Sequence, residues 1–83
     1  MTIEYQASVQ KDLKRLDSKQ ALRVVEAIER ALSTEGHGGE ALSGPFAGLF
    51  KLTVGDDRVI DARTESGYPI LRIAHRRDAY RQK

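Results

Sequence analysis

Near the end of the chain an apolar, strand-like run stops, and His75, Arg76, Arg77 and Tyr80 follow in close succession. Lys51 and Arg58 sit on the two preceding apolar runs, so one sheet would gather all of these groups at one edge. An unperturbed imidazole titrates near neutrality, a guanidinium is a charged planar fork that matches phosphate oxygens, and an aromatic ring stacks on nucleobases. Cations beside an imidazole and a phenol suit holding a phosphate while protons move around it. These residues point to nucleic acid as the substrate.

Other chemistries find little footing. The chain has no cysteine, which removes disulfides, thiol nucleophiles and thiolate metal sites together and fits a reducing compartment. There is no Walker glycine loop, no paired-histidine metal spacing and no serine nucleophile context. Gly36-His37-Gly38-Gly39 is too short and wrongly placed to cradle a nucleotide, and His37 reads as a loop residue. No metal or cofactor is expected. Apolar residues are interrupted every few positions, far short of the roughly 18–20 residue run of a membrane span. Met1-Thr2-Ile3-Glu4-Tyr5 lacks the basic start and apolar stretch of a signal peptide. A soluble, cytoplasmic protein is expected.

At 83 residues the chain is read as a single domain spanning 1–83, with one thin core. The net charge of +2 is unevenly placed. Residues 1–50 carry six Lys/Arg against seven Asp/Glu, whereas residues 51–83 carry eight against five. Basic charge thus concentrates where the candidate residues lie.

The elements that must position them follow from periodicity. Ile3 and Tyr5 alternate with Glu4 and Gln6 as a first strand. Ser8 is placed to cap a helix with Val9, Leu13 and Leu16 on one face. Asp17-Ser18 interrupts and recaps the chain, and a second helix over about residues 19–32 puts Leu22, Val25, Ile28 and Leu32 on one stripe. So short a link predicts an antiparallel helical hairpin. After the Gly36–Gly39 loop and a Ser43-Gly44-Pro45 turn come three strands, Leu49–Val54, Arg58–Ala62 and Pro69–Ala74, separated by Gly55-Asp56-Asp57 and Thr64-Glu65-Ser66-Gly67. The order β-α-α-β-β-β predicts an α+β fold, a helical hairpin packed on a small, mainly antiparallel sheet.

One ordered set of residues goes further. Leu42-Ser43-Gly44, Gly48-Leu49-Phe50-Lys51-Leu52, Gly55, Asp57-Arg58-Val59-Ile60 and the terminal Ile73-Ala74-His75-Arg76-Arg77-Asp78-Ala79-Tyr80-Arg81 resemble the RelE/ParE superfamily of type II toxin–antitoxin toxins, RelE-like branch. The resemblance covers nearly the whole chain. It implies a compact α+β toxin and a cognate antitoxin that wraps it in a hetero-oligomer. RelE-like members cleave messenger RNA without metal, usually in the A site of the 30S ribosomal subunit; ParE-like members inhibit DNA gyrase without cleaving RNA.

Cleavage by attack of a ribose 2′-OH needs a proton acceptor, a proton donor for the departing 5′ oxygen, and cations for the phosphorane charge. By the resemblance, Lys51 lies near the attacking hydroxyl, Arg58 contacts phosphate, His75 is catalytic or contacts RNA, and Arg76 is the catalytic cation. Tyr80 stacks on a base or bonds the phosphate, while Arg77, Arg81 and Lys83 belong to the RNA-binding surface. Plainer readings compete: a solvated Lys51, an ion pair of Arg58 with Asp56 or Asp57, a sheet-capping His75, and a Tyr80 folded back on the core. Thr53 stands where active relatives often carry a second basic residue. Asp57 and Asp61 stand where tyrosines are frequent, and carboxylates there would repel a phosphate unless they orient Arg58 or Lys51. These departures keep two alternatives open, a gyrase inhibitor and a degenerate toxin with weak or no cleavage.

Overall fold

The computed structural model describes residues 2–33 and 39–77. The chain runs β1 (Thr2–Tyr5), α1 (Ala7–Arg15), α2 (Ser18–Ser33), β2 (Glu40–Ala41), a 3₁₀ turn (Gly44–Phe46), β3 (Leu49–Val54), β4 (Asp57–Ala62) and β5 (Gly67–His75). The five strands form one sheet in the order β1-β5-β4-β3-β2. β1 joins β5 in parallel and every other pair is antiparallel. The expected α+β arrangement is thus observed, with β2 as an additional two-residue edge strand.

Both helices pack on one face. Val9 of α1 and Val24, Ile28 and Leu32 of α2 meet Val54, Val59, Tyr68, Ile70 and Ile73 of the sheet in one buried core. Leu13 and Leu16 pack against it as their spacing predicts. The stripe on α2 differs from expectation, because Leu22 is 61% exposed. Leu22 stands two residues, about 200° of helical rotation, from Val24, so the two cannot share a face. The buried face instead centres on Val24, Ile28 and Leu32. The first helix also begins earlier than Ser8. The Val9 and Gln10 amides already bond the Gln6 carbonyl, at 2.9 and 3.0 Å, so Gln6 is the cap and Ser8 lies in the first turn. Asp17 does recap the chain: its Oδ1 accepts from the Gln20 amide at 2.9 Å.

Two details of the sheet fix the later geometry. The β3–β4 hairpin turns in two residues, Gly55 and Asp56, with Gly55 at φ +60, where glycine is at no disadvantage. Between β4 and β5 the register slips: Ile60 faces Arg72 but Asp61 faces Ile70, leaving Leu71 as one extra residue on β5. Such a bulge reverses the inward–outward phase of everything beyond it. Ile70 and Ile73, three apart, are therefore both in the core. β5 also outruns β1, whose pairing ends at Ile70, and beyond it the Ile73 amide donates to the Asp12 carboxylate of α1 at 3.1 Å.

The helix side also receives two carboxylates. Asp57 pairs with Val54 and Asp61 with Phe50, and both are buried. Asp57 accepts from Gln20 Nε2 at 2.7 Å. Asp61 Oδ2 lies 3.6 Å from Arg63 Nε, an ion pair too long for a hydrogen bond, while the Arg63 guanidinium stacks 3.8 Å above the Phe50 ring. Burial raises the pKa of Asp61, and the neighbouring charge of Arg63 opposes this only in part.

Two substitutions test this packing. A Cβ on Gly67 would stand 2.2 Å from the Thr2 carbonyl oxygen, so Gly67→Ala must push β1 off β5. Denaturant titration should show a loss of about 2 kcal/mol or more, within the range for overpacking a close-packed site; wild-type stability would refute the close approach. For Asp61 the folded-state pKa lies above the unfolded one, so the folded protein binds that proton more tightly, and stability falls as pH rises through this window. Asp61→Asn should therefore raise Tm by a few degrees at pH 7, with the gain fading as pH falls and gone below about pH 4, where Asp61 is protonated in both states. A lower Tm at pH 7 would mean that the Arg63 ion pair outweighs burial.

Candidate functional site

Strand pairing determines which candidate residues share a face, because residues directly opposite one another project to the same side. Leu52↔Val59↔Ile73 is a core row. The two flanking rows, Thr53↔Arg58↔Ala74 and Lys51↔Ile60↔Arg72, therefore face away from the helices. Ile60 is buried yet stands apart from the core cluster, as an open-face position requires. The Arg76 amide donates to the Asp56 carbonyl at 2.8 Å, which extends the ladder by one residue and carries Arg76 to the same side as Arg58. Lys51, Arg58, Arg72 and Arg76 thus share the helix-free face of the three central strands.

Asp57 and Asp61 do not approach this face. The expectation that they would dilute the basic surroundings of Lys51 and Arg58 is corrected by the register, which turns both to the helix side. Nor does either aspartate beside Arg58 pair with it. Arg58 Nη1 donates instead to the carbonyls of Gly55 at 3.2 Å and Asp57 at 3.1 Å. These bonds anchor one end of the guanidinium to the hairpin and leave its charge unneutralised by any carboxylate among the described residues.

Lys51 has a different environment. Its Nζ lies 3.5 Å from Glu40 Oε2, and Glu40 is its cross-strand partner on β2. Lys51 is 26% exposed and Glu40 76%, so the pair sits at the rim of the face and holds the ammonium in place at modest energetic gain. Thr53, in the row of Arg58, is exposed and adds a hydroxyl but no charge.

The terminal residues divide. His75 is opposite Asp57, so it projects to the helix side, exposed at the rim of the sheet. Its Nδ1 accepts the Arg77 amide at 3.2 Å, which leaves the proton of the neutral ring on Nε2. His75 and Arg76 therefore leave the strand end on opposite sides. Arg77 is exposed in the turn that follows, and Tyr80, Arg81 and Lys83 lie outside the described residues. Sequence reasoning missed Arg72 and Glu40. Arg72 interrupts the apolar run Ile70-Leu71-Arg72-Ile73, and the signal for its placement was there: Ile70 and Ile73 share the core only if the phase breaks between them.

The arrangement presents three guanidinium groups, that of Arg58 anchored, and one lysine on a sheet surface, a pattern of charge that suits a polyanion backbone. Among the described residues no group of three His, Asp or Glu side chains is arranged to hold a metal, and no helix is long and apolar enough to cross a membrane.

No family model matches the chain, and no curated protein sequence matches it. Solved structures do. A chain of the RelBE2 toxin–antitoxin complex from Mycobacterium tuberculosis is 28% identical, with a TM-score of 0.79 over 93% of this chain and 92% of that one. A chain of the RelB–RelE antitoxin–toxin complex from Methanococcus jannaschii has a TM-score of 0.71 at 16% identity, over 93% and 94% of the two chains. One from the YoeB–YefM complex of Staphylococcus aureus has 0.70 at 14%, over 90% and 95%. At such identities the last two attest the fold alone. The sheet order, the two helices on one face and the agreement with the Mycobacterium tuberculosis chain support the resemblance to RelE-like toxins.

Proposed function

We propose that this chain is the toxin of a type II toxin–antitoxin system and a metal-independent endoribonuclease that cuts ribosome-bound messenger RNA. The observation that carries this reading is the convergence of Lys51, Arg58 and Arg76 on the open face of the sheet, with Asp57 and Asp61 turned to the other side. The 2′-oxygen attacks the adjacent phosphorus, the bond from phosphorus to the 5′ oxygen breaks, and a 2′,3′-cyclic phosphate and a 5′-hydroxyl result. Lys51, held by Glu40, stands beside the attacking hydroxyl and stabilises the 2′-oxygen as its proton passes to a water molecule. Arg58, anchored on its hairpin carbonyls, and Arg76 take the charge that builds on the phosphorane. His75, adjacent to Arg76 at the strand end, acts as the imidazolium, its Nδ1 released from the Arg77 amide, and gives a proton from Nε2 to the departing 5′ oxygen. Tyr80, Arg77, Arg81 and Lys83 extend the RNA contact along the terminal segment.

A cognate antitoxin is the second partner, as in the complexes to which the similar chains belong. A non-cleaving member, whether a gyrase inhibitor or a weakened toxin, is the second reading. It draws on His75 projecting to the helix side and on the uncharged Thr53 in the row of Arg58.

Purified protein added to a cell-free translation reaction decides between them, with primer extension on the message and a gyrase supercoiling assay in parallel. The expected result is ribosome-dependent cuts, reduced about 10²–10³-fold by Arg76→Ala, the usual loss for one preorganised charge-stabilising group, with supercoiling unaffected. Intact message with inhibited supercoiling would establish the gyrase reading, and intact message with normal supercoiling the degenerate one.

A further inference from the structure

The bulge at Leu71 gives β5 a property that its alternation alone would not. Without the extra residue, Ile70 in the core would put Leu71 on the open face and Arg72 among the core side chains. With it, Arg72 stands opposite Ile60 and in line with Lys51. A bulge that re-aims one side chain recurs next to functional sites. The same slip places Ala74, a small side chain, beside Arg58. This leaves lateral room between the Arg58 and Arg72 positions.

The three cations form a triangle around Ile60. Lys51 and Arg72 flank it across the strands, about 10 Å apart at Cα, and Arg58 lies about 7 Å along β4 from Ile60, from strand spacing and rise. Arg76 lies beyond Arg58, at the strand end. The face therefore carries charge in two places, one at Arg58 and Arg76 and another at Arg72. With a phosphate held at the hairpin end by Arg58 and Arg76, Arg72 is set back along the face on the far side of the middle strand from Lys51, where a neighbouring phosphate of the same RNA strand would lie.

We infer that Arg72, brought to the open face by the Leu71 bulge, binds a phosphate next to the scissile one and fixes the register of the RNA strand on the sheet. The inference rests on the RNA-cleaving reading of the same face. Arg72 is exposed, and it is a positioning contact, since it acts on a non-reacting phosphate. Its charge also offsets the neutral Thr53, so that cations flank both sides of the middle strand.

The test uses the full chain and a short single-stranded RNA with 2′-O-methyl groups throughout, which binds but is not cleaved. Fluorescence anisotropy is followed against salt for wild type, Arg72→Ala, Arg72→Lys and, as a control on α1 away from the face, Arg15→Ala. Loss of one phosphate contact should lower the slope of log affinity against log salt by about 0.7. Binding at low salt should weaken about tenfold, the worth of one charge-assisted hydrogen bond. Arg72→Lys should keep the slope, and Arg15→Ala should match wild type. In the translation reaction, Arg72→Ala should raise KM while leaving kcat near wild type, the signature of binding away from the reacting atoms. Wild-type binding with an unchanged Arg72→Ala slope would overturn the inference and leave the RNA reading standing. An equal slope change in Arg15→Ala would reduce the effect to net charge and also overturn it. Absence of any RNA binding and cleavage by wild type would remove the RNA reading and this inference together.

Discussion

The central constraint of this fold is the pairing of β5 with β4 across one extra residue. β5 is the longest strand and the only one of the described strands with neighbours in both orientations, β1 in parallel and β4 antiparallel. Its first half must deliver Tyr68 and Ile70 to the helices, and its second half must deliver Ile73. Strict alternation cannot satisfy both, because 70 and 73 differ by an odd number. The bulge at Leu71 resolves the conflict by restarting the phase. Burying Ile73 then commits Arg72, Ala74 and Arg76 to the helix-free face and His75 to the helix side. One apolar requirement thus sets the placement of the charged groups on β5.

The helix side absorbs what the open face excludes. Asp57 is satisfied by Gln20 of α2, whereas Asp61 has only the nearby charge of Arg63, which also rests on Phe50, and its Oδ2 is buried without a hydrogen-bond partner. Asp12 closes the β5 edge that β1 leaves uncovered. Asp57 and Asp12 bind the helices to the sheet, and all three carboxylates lie across the sheet from the cation cluster. The separation has an energetic cost, visible in the raised pKa of Asp61, where desolvation outweighs the partner charge. The open face is correspondingly poor in carboxylates: among the described residues it carries, in register, Glu40, paired with Lys51, and Glu4 on the edge strand β1.

Much of this was legible in the sequence, and the unread parts share a physical cause. The helices, the three long strands and the Gly55 turn follow from local periodicity and turn chemistry, which one segment carries by itself. Faces do not. Whether Asp57 meets Arg58's phosphate or Gln20's amide depends on which side of β4 the helices cover, a tertiary fact. Leu22 illustrates the same limit on α2, where apolar residues occupy more of the circumference than the core can bury, and packing selected Val24, Ile28 and Leu32. The bulge is intermediate. The odd spacing of Ile70 and Ile73 signals it, but only on condition that both side chains are buried, and burial is again set by the helices. The two-residue β2 has no periodicity to read, and Glu40 with it went unnoticed.

The division at the strand end also constrains the chemistry. A residue pair such as His75-Arg76 cannot put both side chains on one sheet face while the ladder continues, and the Arg76–Asp56 hydrogen bond shows that it does continue to residue 76. On the proposed RNA-cleaving reading, proton transfer by His75 to a substrate on the Arg76 side would occur over the end of the strand, outside the sheet, where both residues border the same turn. That geometry favours a substrate phosphate at the mouth of the β3–β4 hairpin, near Gly55 and Arg58, over one at the centre of the face. The anchoring of Arg58 to the Gly55 and Asp57 carbonyls fits this position, since it holds the guanidinium toward the hairpin. A strand of RNA with its reacting phosphate at this rim would run back across the face toward Lys51 and Arg72. The cations at the rim would then stabilise the transition state, with Lys51 reaching the attacking hydroxyl from one side of the middle strand and Arg72 gripping the next phosphate from the other.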